Sequence, residues 1–205
     1  MMKHLFKQGK KELPTLLLLH GTGGTEEDLV PLAELIAPGH SILSVRGNVS
    51  ENGMPRYFKR LAEGVFDEAD LIERTHELNA FIDESSEKYD FERNNVIAIG
   101  YSNGANIAAS LLFHDAKALK GAVLHHPMVP LRHLELPNLK QKRIFIGAGE
   151  NDPICSPQET KELLEMFSHA GAEVTVHWES AGHQLTRSEA EKAAEWFKKT
   201  IRTAG

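Results

Sequence analysis

A chain of 205 residues, 41 % of them hydrophobic, can close one sizeable core but is short for two ordinary domains, so residues 1–205 are expected to form a single domain. The formal charge of −6 gives no electrostatic reason to approach nucleic acid or an anionic membrane; a small molecule is the expected partner, with a homodimer left open. Cys155 is the only cysteine, which excludes an internal disulfide, and the opening residues carry neither a signal-peptide nor a spanning pattern, so a cytoplasmic protein is expected.

In chain order, residues 15–19 read as the first confident strand and run into His20-Gly21-Thr22-Gly23-Gly24. Thr25 then signals a helix carrying Leu29, Leu32, Ala33 and Ile36. A strand over 41–45 is followed by 46–63, where Gly47, Asn48, Asn52, Gly53 and Pro55 predict a long loop. A helix beginning near Asp67 or Glu68 carries Leu71, Thr75, Leu78 and Ile82 on one stripe. Strands follow over 96–100, 121–124, 143–148 and 173–178. Ser156 with Pro157 and Glu159, and Thr186 with Glu189, read as capping boxes opening the last two helices. The final helix carries Ala190, Ala193, Ala194, Phe197 and Ile201. Apolar strands alternating with helices predict an α/β fold with a mostly parallel sheet covered on both faces.

The chemistry enters at Gly100-Tyr101-Ser102-Asn103-Gly104, which joins a buried strand to the apolar helical stretch 105–112. Strand, sharp turn and helix around G-x-S-x-G form a nucleophile elbow, in which small neighbours let the backbone pack closely while the serine hydroxyl projects over the sheet end. A serine hydroxyl needs a base, and a histidine base needs an orienting carboxylate. Downstream, Asp152 lies beyond the strand 143–148 and His183 beyond the strand 173–178, both at carboxyl ends of strands and in the chain order Ser, Asp, His. Glu150 is the competing acid. The backbone N–H groups of Thr22 and Asn103 are placed to form an oxyanion hole; the phosphate-loop alternative for 20–24 lacks its lysine. Only the neutral form of His183 could accept the serine proton, so activity should fall on acidification near roughly pH 6 to 7.

These motifs resemble the α/β-hydrolase carboxylesterase/phospholipase group, which includes the acyl-protein thioesterases. The stretch Arg46-Gly47-Asn48, the run from Glu51 to Arg56, and His125-His126-Pro127-Met128-Val129-Pro130 are most similar to bacterial MhqD-type hydrolases. The resemblance implies an α/β-hydrolase fold and serine carboxylesterase activity; residues 127–141, too short for a lid domain and interrupted by Pro127, Pro130 and Pro137, predict an open cleft suited to small or medium acyl esters. Lysophospholipase or acyl thioesterase activity on the same three residues is the alternative, although Asn103 and Thr22 depart from the thioesterase pattern. A non-catalytic ligand-binding protein of this fold is the alternative of another class.

No cofactor is implied. A metal reading of the pair His125 and His126 lacks a carboxylate or cysteine at ligand spacing nearby, which makes pocket lining the better expectation for His126. Cys155 suggests a thiol hydrolase of the dienelactone hydrolase kind, but it follows the acid loop instead of occupying the elbow. Met54, Tyr57 and Phe58 from the long loop and Met128 and Leu131 from the segment 127–141 are expected to give the cleft its apolar walls, with Arg46 or Arg56 anchoring an anionic group.

Overall fold

The computed structural model describes residues 2–201. Met1 and residues 202–205, which belong to the expected domain, lie outside the described residues. In order along the chain come β1 (His4–Lys7), β2 (Thr15–Leu19), α1 (Val30–Ile36), β3 (Ser41–Val45), β4 (Val49–Glu51), β5 (Met54–Arg56), β6 (Arg60–Ala62) and β7 (Val65–Phe66). They are followed by α2 (Glu68–Tyr89), β8 (Val96–Tyr101), α3 (Asn103–His114), β9 (Gly121–His125), β10 (Arg143–Gly149), α4 (Pro157–His169), β11 (Glu173–Glu179) and α5 (Arg187–Thr200). Among the described residues, seven strands form one sheet in the order β1-β3-β2-β8-β9-β10-β11. Every neighbouring pair in it is parallel except β1, which runs antiparallel to β3.

The unbroken apolar run of β2 is explained by burial on both faces. Leu16 and Leu18 pack with Ala33 and Ile36 of α1 and with Ala193 and Phe197 of α5, whereas Leu17 and Leu19 face Leu71, Leu78 and Ile82 of α2 and Ile107 and Leu111 of α3. Leu163 and Phe167 of α4 complete that second layer. Helix α3 is buried over its whole circumference through Phe113, which is why its sequence shows no polar stripe.

Two sequence expectations need correction, and one strand is added to those expected. Thr25 does not open α1: its hydroxyl donates to Asp28 Oδ1 at 2.7 Å within a separate turn, and the helix begins five residues later. Pro31 accounts for the delay, because a proline lacks the N–H that a helix interior requires and is tolerated only in the first turn. Residues 46–63 are not an irregular loop, since β4 pairs with β5 and Arg60 and Ala62 pair with β7. Asn52 and Gly53, at φ 51° and 81°, form the two-residue connection of the first hairpin, and the left-handed conformation at both positions is what an Asn-Gly pair supplies. Finally, β1 was not anticipated; it is a four-residue half-buried edge, and Leu5 and Phe6 serve opposite faces of the sheet.

Candidate active site

Ser102 follows β8 at φ 52° and ψ −113°, a conformation that ordinary residues avoid. Close packing on either side holds it there. A Cβ on Gly104 would stand 2.0 Å from the Leu19 carbonyl oxygen, and one on Gly100 would stand 2.7 Å from the Gly104 oxygen, so only glycine lets α3 approach the sheet this closely. The Ser102 N–H donates to the His125 carbonyl at 2.9 Å, which ties the turn to β9.

The downstream residues converge on this serine. His183 Nε2 lies 2.8 Å from Ser102 Oγ, and His183 Nδ1 lies 2.8 Å from Asp152 Oδ2. Asp152 has a fully buried carboxylate, and its other oxygen accepts the N–H groups of Ile154 at 2.8 Å and Cys155 at 2.9 Å. Burial alone would raise the Asp152 pKa, but the Cys155 N–H, His183, the Ile154 N–H and His126 together hold it below the usual carboxylate value. Glu150 is exposed and accepts a hydrogen bond from Ser180, so it is not the residue that reaches His183. Tyr101, which the sequence did not single out, donates its hydroxyl to the His183 carbonyl at 2.8 Å and fixes that loop from the elbow side.

Thr22 and Asn103 flank Ser102 in a cleft of about 230 Å³. The first turn of α3 leaves the Asn103 N–H without a helical acceptor. The loop carrying Thr22 is braced: His20 Nδ1 is 2.6 Å from the Gly21 carbonyl, and His20 Nε2 accepts the Gly47 N–H at 3.0 Å. Burial lowers the His20 pKa, which suits a ring that accepts at one nitrogen. Tyr57 N–H donates to Asn103 Oδ1 at 2.8 Å, and Tyr57 Oη donates to the Val45 carbonyl at 2.6 Å. Tyr57 therefore braces the β4–β7 segment instead of lining the cleft.

The expected substrate contacts divide. Arg56 and Met128 line the cleft, joined by Arg60, Phe66, Ile154 and Cys155. Met54 does not: alternation along β5 turns it to solvent, 40 % exposed, while Arg56 two residues on turns inward. Phe58 is fully buried and packs edge-on against Phe66 at 5.1 Å, so Phe66 presents the aromatic surface instead. Leu131 is buried in the core, and Arg46 pairs with Glu26. His126 is not pocket lining; its buried ring lies 2.9 Å from Asp152 Oδ2 and 3.0 Å from Glu189 Oε2. Sequence spacing pointed to Glu189 only as a capping residue. Ligand atoms of His126, Asp152 and His183 lie within 4.8 Å of one another, a convergence accounted for by the two rings sharing one carboxylate oxygen.

Arg56 Nη1 donates to Thr22 Oγ1 at 2.6 Å and lies 3.8 Å from Glu51 Oε2, while Arg60 Nε donates to Glu51 Oε1 at 2.9 Å. Two guanidinium groups against one carboxylate leave this wall positive. Residues 126–142, between β9 and β10, contain no helix, and no helix among the described residues is long and apolar enough to cross a membrane.

The parallel sheet, the elbow and the residues gathered at its carboxyl edge define a hydrolase of the α/β-hydrolase fold. Comparison with known proteins agrees: residues 50–201 match the profile of the dienelactone hydrolase family, to which the chain belongs. Over 200 residues it is 57 % identical to "Putative hydrolase MhqD" of Bacillus subtilis (strain 168), covering 98 % of this chain and all of that one. A solved Bacillus cereus carboxylesterase is 64 % identical, with TM-score 0.97 over 98 % of this chain and 95 % of that one. YahD, solved with malic acid, is 37 % identical, with TM-score 0.93 over 98 % of this chain and all of that one. The protein is a carboxylic ester hydrolase. Family membership does not place a thiol in the elbow: Ser102 stands there, and Cys155 donates its Sγ–H to the His126 carbonyl at 3.1 Å, with burial raising its pKa well above the ordinary value.

Proposed function

We propose that the protein hydrolyses small or medium acyl esters through a Ser102 acyl-enzyme. The observation that carries this reading is the continuous hydrogen-bonded path from Ser102 Oγ through His183 to Asp152. Ser102 Oγ attacks the ester carbonyl as His183 Nε2 takes its proton, and the N–H groups of Thr22 and Asn103 receive the oxyanion. Collapse of the tetrahedral intermediate breaks the bond to the alcohol oxygen, which leaves with the proton from His183. Water, deprotonated by the same ring, then releases the acid and restores Ser102. Asp152 orients His183 and stabilises its charged form.

The positive wall of Arg56 and Arg60 favours esters that also carry an anionic group, a preference consistent with malic acid in the YahD structure. The test is turnover of p-nitrophenyl esters of graded length, with and without a terminal carboxylate, together with fluorophosphonate labelling. Ser102→Ala should abolish labelling and lower kcat by ~10⁴ to 10⁶ while preserving the fold. Near-normal turnover by folded Ser102→Ala would overturn the mechanism.

A further inference from the structure

The N-terminus of α5 departs from the capping box that its sequence suggests. Thr186 accepts the Glu189 N–H at 3.1 Å, as an N-cap should, but the Glu189 carboxylate turns into the protein and is fully buried. One of its oxygens meets His125 Nδ1, and the other lies 3.0 Å from His126 Nε2. Strand β10 has a slot for it: a Cβ on Gly147 would stand 1.9 Å from Glu189 Oε1, so any other residue there would expel the carboxylate.

His126 is fixed with equal care. Its backbone sits at φ 52°, its N–H donates to the Gly147 carbonyl at 2.8 Å, and its carbonyl accepts the Cys155 thiol. Both ring nitrogens face carboxylate oxygens, Asp152 on one side and Glu189 on the other. Ionised carboxylates only accept hydrogen bonds, so satisfying both contacts requires a proton on each nitrogen, and the ring is an imidazolium. The remaining groups facing this ring are neighbouring side chains of the same site: His183 with its ring centroid at 5.3 Å, and Tyr101 at 6.0 Å. His125 occupies the other oxygen of Glu189. The two carboxylates together outweigh desolvation and raise the His126 pKa, in keeping with that charge.

We propose that His126, held as a cation by Glu189, is a positioning residue that sets the basicity of His183 through the Asp152 oxygen the two rings share. Asp152 Oδ2 accepts from His126 Nδ1 at 2.9 Å and from His183 Nδ1 at 2.8 Å. The positive charge of the His126 ring beside that oxygen reduces what Asp152 can give to a second imidazolium. The imidazolium formed when His183 takes the Ser102 proton is therefore held less firmly than it would be beside an unshared aspartate. The inference rests on the proposed roles of Ser102, His183 and Asp152.

His126→Asn is the informative variant, because asparagine tolerates a positive φ and its amide can still donate to Asp152 without a charge. The acid limb of its kcat/KM profile with p-nitrophenyl acetate should move up by about one pH unit, the effect of losing one charge at this range in a partly screened site. A folded variant with an unmoved limb overturns the proposal. ¹⁵N spectra of the unmutated enzyme followed across the acid limb test it without any substitution: both His126 nitrogens should carry the shifts of a protonated ring over that range, and a His126 that is neutral there overturns it. Ser102→Ala separates the two levels. Turnover retained there overturns the acyl-enzyme reading and this inference with it; turnover lost there, with an unmoved limb in His126→Asn, overturns this inference alone.

Discussion

Replacing Glu189 by glutamine keeps the side chain's shape and removes its charge, which isolates what the buried carboxylate contributes. In the folded protein, burial would raise this carboxyl's pKa, but His125 and His126 more than offset that and hold it at about 2. Against an unfolded value of about 4.3, the difference corresponds to about 3 kcal/mol at neutral pH. The ~3 to 5 kcal/mol typical of breaking a buried ion pair agrees. Glutamine also cannot accept from both rings: its amide nitrogen must face one of them, where the ring nitrogen would have to accept instead of donate. Urea unfolding at pH 7 should therefore show Glu189→Gln destabilised by about 3 kcal/mol, equivalent to roughly 6 to 12 °C in Tm for a chain of this size. The sign with pH follows from the depressed pKa. The carboxylate's contribution is present above the unfolded value and is lost as pH falls through about 2, so the gap between the two proteins should narrow from about pH 4.5 downward. His126 acts in the opposite sense, since its raised pKa contributes stability below the unfolded value of about 6.5 that is lost as pH rises through the folded one. A loss below about 1 kcal/mol at pH 7, or a gap that stays constant into acid, would refute the reasoning.

Two further outcomes follow from the geometry. Gly104→Ala would put a Cβ 2.0 Å from a backbone oxygen that cannot yield without moving β2, so it should lower stability by more than ~3 kcal/mol or yield no soluble protein; a thermal melt within ~2 °C of the unmutated chain would contradict this. Because residues 126–142 carry no helical cover, hydrolysis of an ester titrated through its solubility limit should follow the dissolved concentration, and a sharp rise on emulsification would show that the cleft is gated.

How much of this was legible depended on whether a residue's role is set by its local sequence. Ser102 could be read because the elbow demands glycines at fixed offsets from it, and Asp152 and His183 because a parallel sheet delivers whatever follows its strands to one edge. Met54 could not be placed because its direction depends on the hairpin register that the Asn52-Gly53 turn specifies, and Phe58 because it lies beyond that hairpin and is covered by Phe66 from another strand pair. Glu189 was hidden for a different reason. Its spacing from Thr186 satisfies a capping box so well that the local reading leaves no remainder, and Glu159 presents the same spacing from Ser156. Yet Glu159 binds the Val129 N–H at 2.9 Å and pairs with Arg132, while Glu189 enters the core. In each case the backbone needs only the hydroxyl of the cap, which frees the carboxylate for a stronger partner from a distant strand or loop. For Glu189 that partner is a histidine pair at the end of β9, and the space for the contact exists only because residue 147, on the adjacent strand, has no side chain. No window of sequence contains all three positions, so the buried charge behind the site is a property of the sheet order and not of any motif.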